Sequence, residues 1–167
     1  MKQAGARLLH IDDDSDFLRL FSVSFRRNFN VTSACNYSEA LNYLKQEVFD
    51  AVVLDYDMPE MNGLELLPII KDKMPEIPVV FFTGQGNEEI AREAFVAGAS
   101  DYFTKDFTDF SNKEKFVNSI KRLVEKRNTE IQLQKSEKKY RLLFESMLNG
   151  FIYGKVIYDE NGKPDDL

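Results

Sequence analysis

The sequence predicts an α/β domain, a mainly parallel sheet of five strands in a three-layer arrangement with helices. Three observations point there. Short apolar runs recur through the first 110 residues, and three of them (Leu8–Ile11, Ala51–Leu54 and Val79–Phe82) are nearly continuous, as strands buried on both faces require. Segments with a helical apolar period lie between the runs, so strands joined by right-handed crossovers are expected. Residues suited to capping a helix stand at the start of each periodic segment.

The first strand, Leu8–Ile11, runs into Asp12-Asp13-Asp14, and Asp14 or Ser15 caps a helix over Phe17–Phe25. Val31–Ala34 is the second strand, after which Ser38 caps Glu39–Val48. The third strand, Ala51–Leu54, precedes a helix at Leu64–Lys73 capped by Asn62; Pro68 lies inside it and should remove one backbone bond and bend it. Val79–Phe82 is the fourth strand, Asn87 caps Glu88–Ala97, and Tyr102–Phe103 is the fifth strand. Phe116, Val117, Ile120, Leu123 and Val124 form an amphipathic fifth helix that closes the domain.

Beyond that point the pattern changes. Val117, Val124 and Ile131 recur every seven residues, but Arg127 and Gln134 occupy the companion positions, which makes a weak coiled-coil seam. Tyr140, Leu143, Phe144 and Met147 form another stripe, ended by Asn149-Gly150. An unbroken helix over Asn112–Leu148 would be about 55 Å long. Phe151–Tyr158 reads as a strand and Asp159-Glu160-Asn161-Gly162 as a turn, so the chain is expected to stop inside a second domain.

Composition narrows the function classes. Residues 1–110 hold 10 Lys and Arg against 19 Asp and Glu, whereas residues 111–167 hold 12 against 9. An acidic body repels phosphates, which argues against a nucleic-acid groove. No run approaches the roughly 18 apolar residues of a membrane span, and the start lacks the apolar stretch of a signal peptide. Cys35 is the single cysteine, so no internal disulfide can form. A reduced, cytoplasmic setting is the expectation, with Cys35 an inert small residue and His10 a satisfied core histidine.

In such a sheet, chemistry gathers at the carboxyl ends of the strands. The first strand ends in Asp12-Asp13-Asp14, the third in Asp55, the fourth in Thr83-Gly84 and the fifth in Thr104-Lys105. If the first and third strands are neighbours, Asp12, Asp13 and Asp55 share a small volume. Carboxylates so close raise one another's pKa unless a cation joins them, and hard oxygen ligands suit Mg²⁺. Thr83 and Lys105 suit phosphoryl oxygens, and an Asp carboxylate can itself be a nucleophile.

The stretches Leu9-His10-Ile11-Asp12-Asp13, Leu54-Asp55-Tyr56-Asp57-Met58-Pro59-Glu60-Met61-Asn62-Gly63, Phe82-Thr83-Gly84 and Ala97-Gly98-Ala99-Ser100-Asp101-Tyr102-Phe103-Thr104-Lys105 closely resemble the receiver domain of two-component response regulators. The resemblance implies a flavodoxin-like doubly wound sheet of order 2-1-3-4-5, flanked by five helices and followed here by a C-terminal helical extension. It implies that Asp55 accepts a phosphoryl group from the phosphohistidine of a histidine kinase or a phosphotransfer protein. Asp13, Asp55 and the backbone carbonyl of Asp57 would bind Mg²⁺, Asp12 would act through water, and Thr83 and Lys105 would hold the phosphate. Thr83 and Tyr102 match the switch positions.

Two positions depart from the family pattern. Asp106 stands where a proline usually follows the lysine, and Asp57 adds an acid where receivers vary. The resemblance divides the chain into a receiver over 5–127, a linker helix over 128–149 and, from a similarity to the opening of a PAS domain, an incomplete PAS-like segment over 150–167. A homodimer through the C-terminal helix is compatible with it, and direct transcriptional control by this chain is not expected. The module would be a signalling phosphoacceptor rather than an enzyme.

Two other readings compete. A haloacid-dehalogenase-type phosphohydrolase carries Asp-x-Asp at a strand end, as in Asp55-Tyr56-Asp57, but Pro59 stands where that family has Thr or Val, and Asp12-Asp13 precedes the nucleophile instead of following it. A phosphorylation-independent receiver-like scaffold usually lacks a pocket residue, and none is missing here.

Overall fold

The computed structural model describes residues 5–84, 88–106 and 110–152. Strands β1 (Ala6–Ile11), β2 (Phe29–Ala34), β3 (Ala51–Leu54), β4 (Val79–Thr83) and β5 (Asp101–Thr104) alternate with helices α1 (Ser15–Phe25), α2 (Tyr37–Gln46), α3 (Gly63–Lys73), α4 (Glu88–Val96) and α5 (Phe110–Ile152). All neighbouring strands pair in parallel, in the order β2-β1-β3-β4-β5. This is the flavodoxin-like doubly wound arrangement. The chain divides into two compact units, Met1–Arg127 and Asn128–Leu167.

The continuous apolar runs have a direct cause: successive side chains of a strand point to opposite faces, and both faces are covered. On one face, Leu9, Ile11, Val52, Leu54, Val79 and Phe81 meet Leu44, Leu66, Leu67, Ile70 and Ala94 of α2, α3 and α4. On the other, Leu8, Val53, Val80 and Phe82 meet Phe21, Phe25, Phe116, Val117 and Ile120 of α1 and α5.

Local chemistry fixes the helix starts. Asp14 Oδ1 accepts from the backbone N–H groups of Asp16 and Phe17, capping α1. Asn36, not Ser38, caps α2: its extended backbone lets the side chain accept from Glu39 N at 2.8 Å, so the helix begins earlier than the apolar period suggested. Asn62 and Glu65 form a reciprocal capping box at α3. That helix runs unbroken through Pro68, because buried Leu66, Leu67 and Ile70 hold it against the core across the one missing backbone bond.

Gly63 is required by close approach. A Cβ there would lie 2.3 Å from the Asp55 carbonyl oxygen and 2.8 Å from Phe81 Cε1, while Gly63 N donates to Tyr56 O at 2.9 Å. Gly63→Ala is therefore expected to lower stability by at least the roughly 1–3 kcal/mol of an overpacked core. Urea denaturation checks it, and an unchanged midpoint would show that α3 can retreat freely.

α5 resolves the seven-residue pattern. Val117 is buried and Val124 packs against the α1–α5 core, so both face the sheet instead of a partner helix. Arg127, at the companion position, donates from Nη1 to the carbonyls of Phe49 and Asp50. Ser119 donates to Asp101 on β5.

The helix continues through Asn149-Gly150 to Ile152, so Phe151 and Ile152 are helical where a strand was expected. A glycine inside a helix weakens it by about 1 kcal/mol without obliging it to stop. The rest of the PAS-like segment, residues 153–167, lies outside the described residues. In the second unit, Leu133, Tyr140, Leu142, Leu143, Phe144 and Met147 are exposed. No helix among the described residues is long and apolar enough to cross a membrane.

Candidate functional site

The sheet order makes β1 and β3 neighbours, with Ile11 opposite Leu54. The next residues, Asp12 and Asp55, are thereby held side by side: Asp55 N donates to Ile11 O at 2.9 Å, and Asp12 N to Ala34 O at 3.1 Å. Asp13 completes the group, and one carboxylate oxygen from each of Asp12, Asp13 and Asp55 lies within 4.8 Å of the others. Asp12 and Asp55 are buried, whereas Asp13 faces solvent.

β4 and β5 bring the remaining parts. Thr83 is fully buried at the end of β4, and its carbonyl accepts from Lys105 N at 2.8 Å. The Lys105 ammonium lies 2.6 Å from Asp12 Oδ2 and 3.0 Å from Asp55 Oδ2. Tyr102, opposite Phe81 in the register, is half-buried against the α2–α4 core. Asp57 is exposed in the loop that also holds Glu60 at φ 69°, a left-handed position for a residue with a side chain.

The electrostatics follow from burial. Removing the Asp12 carboxyl from water raises its pKa from 3.8 to about 6, although Lys105 pulls the other way. Asp55 is also raised, first by burial and then by Asp13, against the opposing pull of Lys105. Burial alone would lower Lys105, but Asp12 and Asp55 outweigh it and hold the lysine above its ordinary value.

Two hard oxygen donors and a third within reach are a fitting set for Mg²⁺, and Asp55 Oδ1 is a buried acceptor with no hydrogen-bond partner among the described residues. An acid whose pKa is raised on folding stabilises the fold at low pH, and that contribution is lost as pH climbs through the window from about 4 to about 6. In EDTA the stability difference between the parent and Asp12→Asn should therefore shift against the parent by on the order of 3 kcal/mol between pH 4 and pH 7. Mg²⁺ should reverse the loss at pH 7 and do little at pH 4, because ligation needs ionised carboxylates. Urea midpoints across that range check both signs.

The sequence pattern located the acids, Thr83 and Lys105, but not everything around them. Asp12, which the resemblance places beside the ion, is fully buried and ion-paired with Lys105. The pattern missed Phe17, whose ring lies 4.6 Å from Lys105 Nζ and holds the ammonium against its face. It read His10 as a satisfied core residue. His10 is in the core, but neither ring nitrogen has a hydrogen-bond partner among the described residues. Cys35 is exposed, with Glu39 beside it raising its thiol pKa first.

The chain is similar to known proteins. The chain is 35% identical over 121 residues to a putative response regulator, NtrX-like, of Rickettsia bellii, covering 71% of this chain and 24% of that protein. It is 37% identical over 106 residues to the transcriptional regulatory protein ZraR of Escherichia coli, covering 63% of this chain and 24% of that one. It thus spans about a quarter of the length of these curated relatives. Among solved structures, NtrX from Brucella abortus superposes with a TM-score of 0.71 at 27% identity, over 80% of this chain and 30% of that one. The response regulator receiver domain model matches residues 8–121, and with the sheet order and the acid cluster this places the chain in the response regulator receiver domain family.

Proposed function

We propose that the chain is the Mg²⁺-dependent phosphoacceptor module of a two-component phosphorelay, with Asp55 as the acceptor. The observation that carries this reading is the buried Asp55 Oδ1, without a hydrogen-bond partner among the described residues, beside an ammonium and two further carboxylates. An Asp55 oxygen attacks the phosphorus of a partner's phosphohistidine; the P–N bond breaks, and the leaving imidazole keeps that bond's electron pair and takes up a proton. Asp13, Asp55 and the Asp57 carbonyl would hold Mg²⁺, with Asp12 beside them, and the ion supplies neutralisation of the charge that gathers on the phosphoryl oxygens.

Lys105 is already within 3.0 Å of the acceptor carboxylate, so it needs only a short movement to reach a phosphoryl oxygen. Thr83, from the adjacent strand end, donates its hydroxyl to the same group, and Tyr102 follows Thr83 as the switch. The resulting shift in population would bias whatever α5 leads into, a PAS-like or other output region. The exposed stripe Tyr140, Leu143, Phe144 and Met147 supports a homodimer as the form in which α5 transmits it. A donor kinase in the cytoplasm completes the reading.

Incubation with acetyl phosphate and Mg²⁺, followed by intact mass, tests the acceptor. A phosphoryl increment that requires the metal and maps to Asp55 is the expected result. Its absence, or its appearance at another residue, would remove the proposal.

A further inference from the structure

His10 is the chain's single histidine and is fully buried on β1. Its ring stacks on Phe21 with centroids 4.0 Å apart, and Phe17 approaches edge-on at 5.9 Å. Burial first, and Lys105 second, hold its pKa at about 3, so the ring is neutral and carries one proton. Neither nitrogen has a hydrogen-bond partner among the described residues, a cost that an apolar side chain at this place would avoid. Nε2 lies 3.6 Å from Asp12 Oδ2, the same oxygen that Lys105 contacts at 2.6 Å.

We propose that His10 is a positioning residue for Asp12, donating from Nε2–H to Asp12 Oδ2 when Lys105 turns to the phosphoryl group on Asp55. The inference rests on the phosphoacceptor reading above. One ammonium lies between two carboxylates, and a phosphoryl group on Asp55 brings more negative charge to one of them. As Lys105 follows it, Asp12 Oδ2 is left buried without its partner, while Oδ1 still accepts from Asp14 N at 3.0 Å. Asp12 itself has no exposed surface. The His10 ring is the adjacent donor, and closing from 3.6 Å to an ordinary N–H···O length takes about 0.7 Å. The donated bond keeps the Asp12 carboxylate oriented throughout the reaction, as hydrogen bonds behind ligating carboxylates generally do.

The test uses the full chain with ¹⁵N-labelled histidine, whose ring signals belong to His10 alone. Spectra are taken in EDTA and again with Mg²⁺ and beryllofluoride, a phosphoryl mimic whose binding is followed by its own ¹⁹F signal. The expected result is an Nε2-protonated ring whose Nε2 proton moves downfield on loading. A ring protonated on Nδ1, or an unmoved proton in loaded protein, overturns the role of His10 and leaves the Asp55 chemistry standing. Failure to bind beryllofluoride overturns the phosphoacceptor reading, and this inference with it.

Variants give a second readout. Gln places an amide donor near the position of Nε2, Asn places it near Nδ1, and Leu has none. Beryllofluoride affinity in saturating Mg²⁺ and the rate of phosphorylation by acetyl phosphate should fall about tenfold in His10→Leu and His10→Asn and recover in His10→Gln. Parent-like values in His10→Leu, or equal losses in all three, would mean that the ring only fills space.

Discussion

Asp55→Asn is expected to abolish the phosphoryl adduct formed from acetyl phosphate and Mg²⁺, to the background of the intact-mass measurement. The amide has almost the same shape but no anionic oxygen to form the acyl phosphate, so the loss is of chemistry and not of fold. Stability separates the two. The Asp55 carboxyl is raised by burial and by Asp13, so its charged form is disfavoured in the metal-free fold. Removing that charge should leave the urea midpoint in EDTA at pH 7 equal or higher, since Lys105 keeps Asp12 at 2.6 Å. Asp13→Asn, which keeps the proposed nucleophile and removes one carboxylate of the proposed metal site, should slow the reaction without abolishing it. An adduct that persists in Asp55→Asn at the parent's rate would move the acceptor elsewhere.

Phe116→Ala is expected to have the largest effect on stability, a loss of about 3–5 kcal/mol. Its ring is almost fully buried and lies among four others, with centroids 5.7 Å from Phe21, 4.9 Å from Phe25, 5.0 Å from Phe82 and 5.3 Å from Phe103. Those rings belong to α1, β4 and β5, so a single residue ties α5 to both the sheet and the neighbouring helix. The loss is a large fraction of the roughly 5–15 kcal/mol that holds a domain folded. Urea denaturation and hydrogen exchange of the first turns of α5 check it. Phe116→Leu, which keeps most of the volume, should restore much of the midpoint, and a loss below about 1 kcal/mol in Phe116→Ala would mean that the neighbours close the cavity.

Much of this architecture was legible beforehand. The central strands were visible because a strand covered on both faces has no place for unpaired polar side chains, and Ala51–Leu54 and Val79–Phe82 contain none. Caps at Asp14 and Asn62 were legible because they act over three residues. Asn36 was not, because the distinction from Ser38 depends on which backbone is extended at the end of β2. The Val117, Val124 and Ile131 repeat was ambiguous for the same reason: a seven-residue spacing serves a partner helix or a sheet equally, and only the position of α5 against Phe21 and Phe25 decides.

The order of residue types along this chain was enough to place Asp12, Asp13, Asp55, Thr83 and Lys105 at strand ends, because strand period and turn chemistry are short-range properties. Only the tertiary structure decided how those groups share space. It buries Asp12 and lays Lys105 between two carboxylates. It leaves His10 without a partner among the described residues and requires Gly63 to be a glycine, because the Asp55 carbonyl passes too close for any side chain. Depth and contact across the sheet are set by residues far apart in the chain, and no local pattern encodes a distance between them.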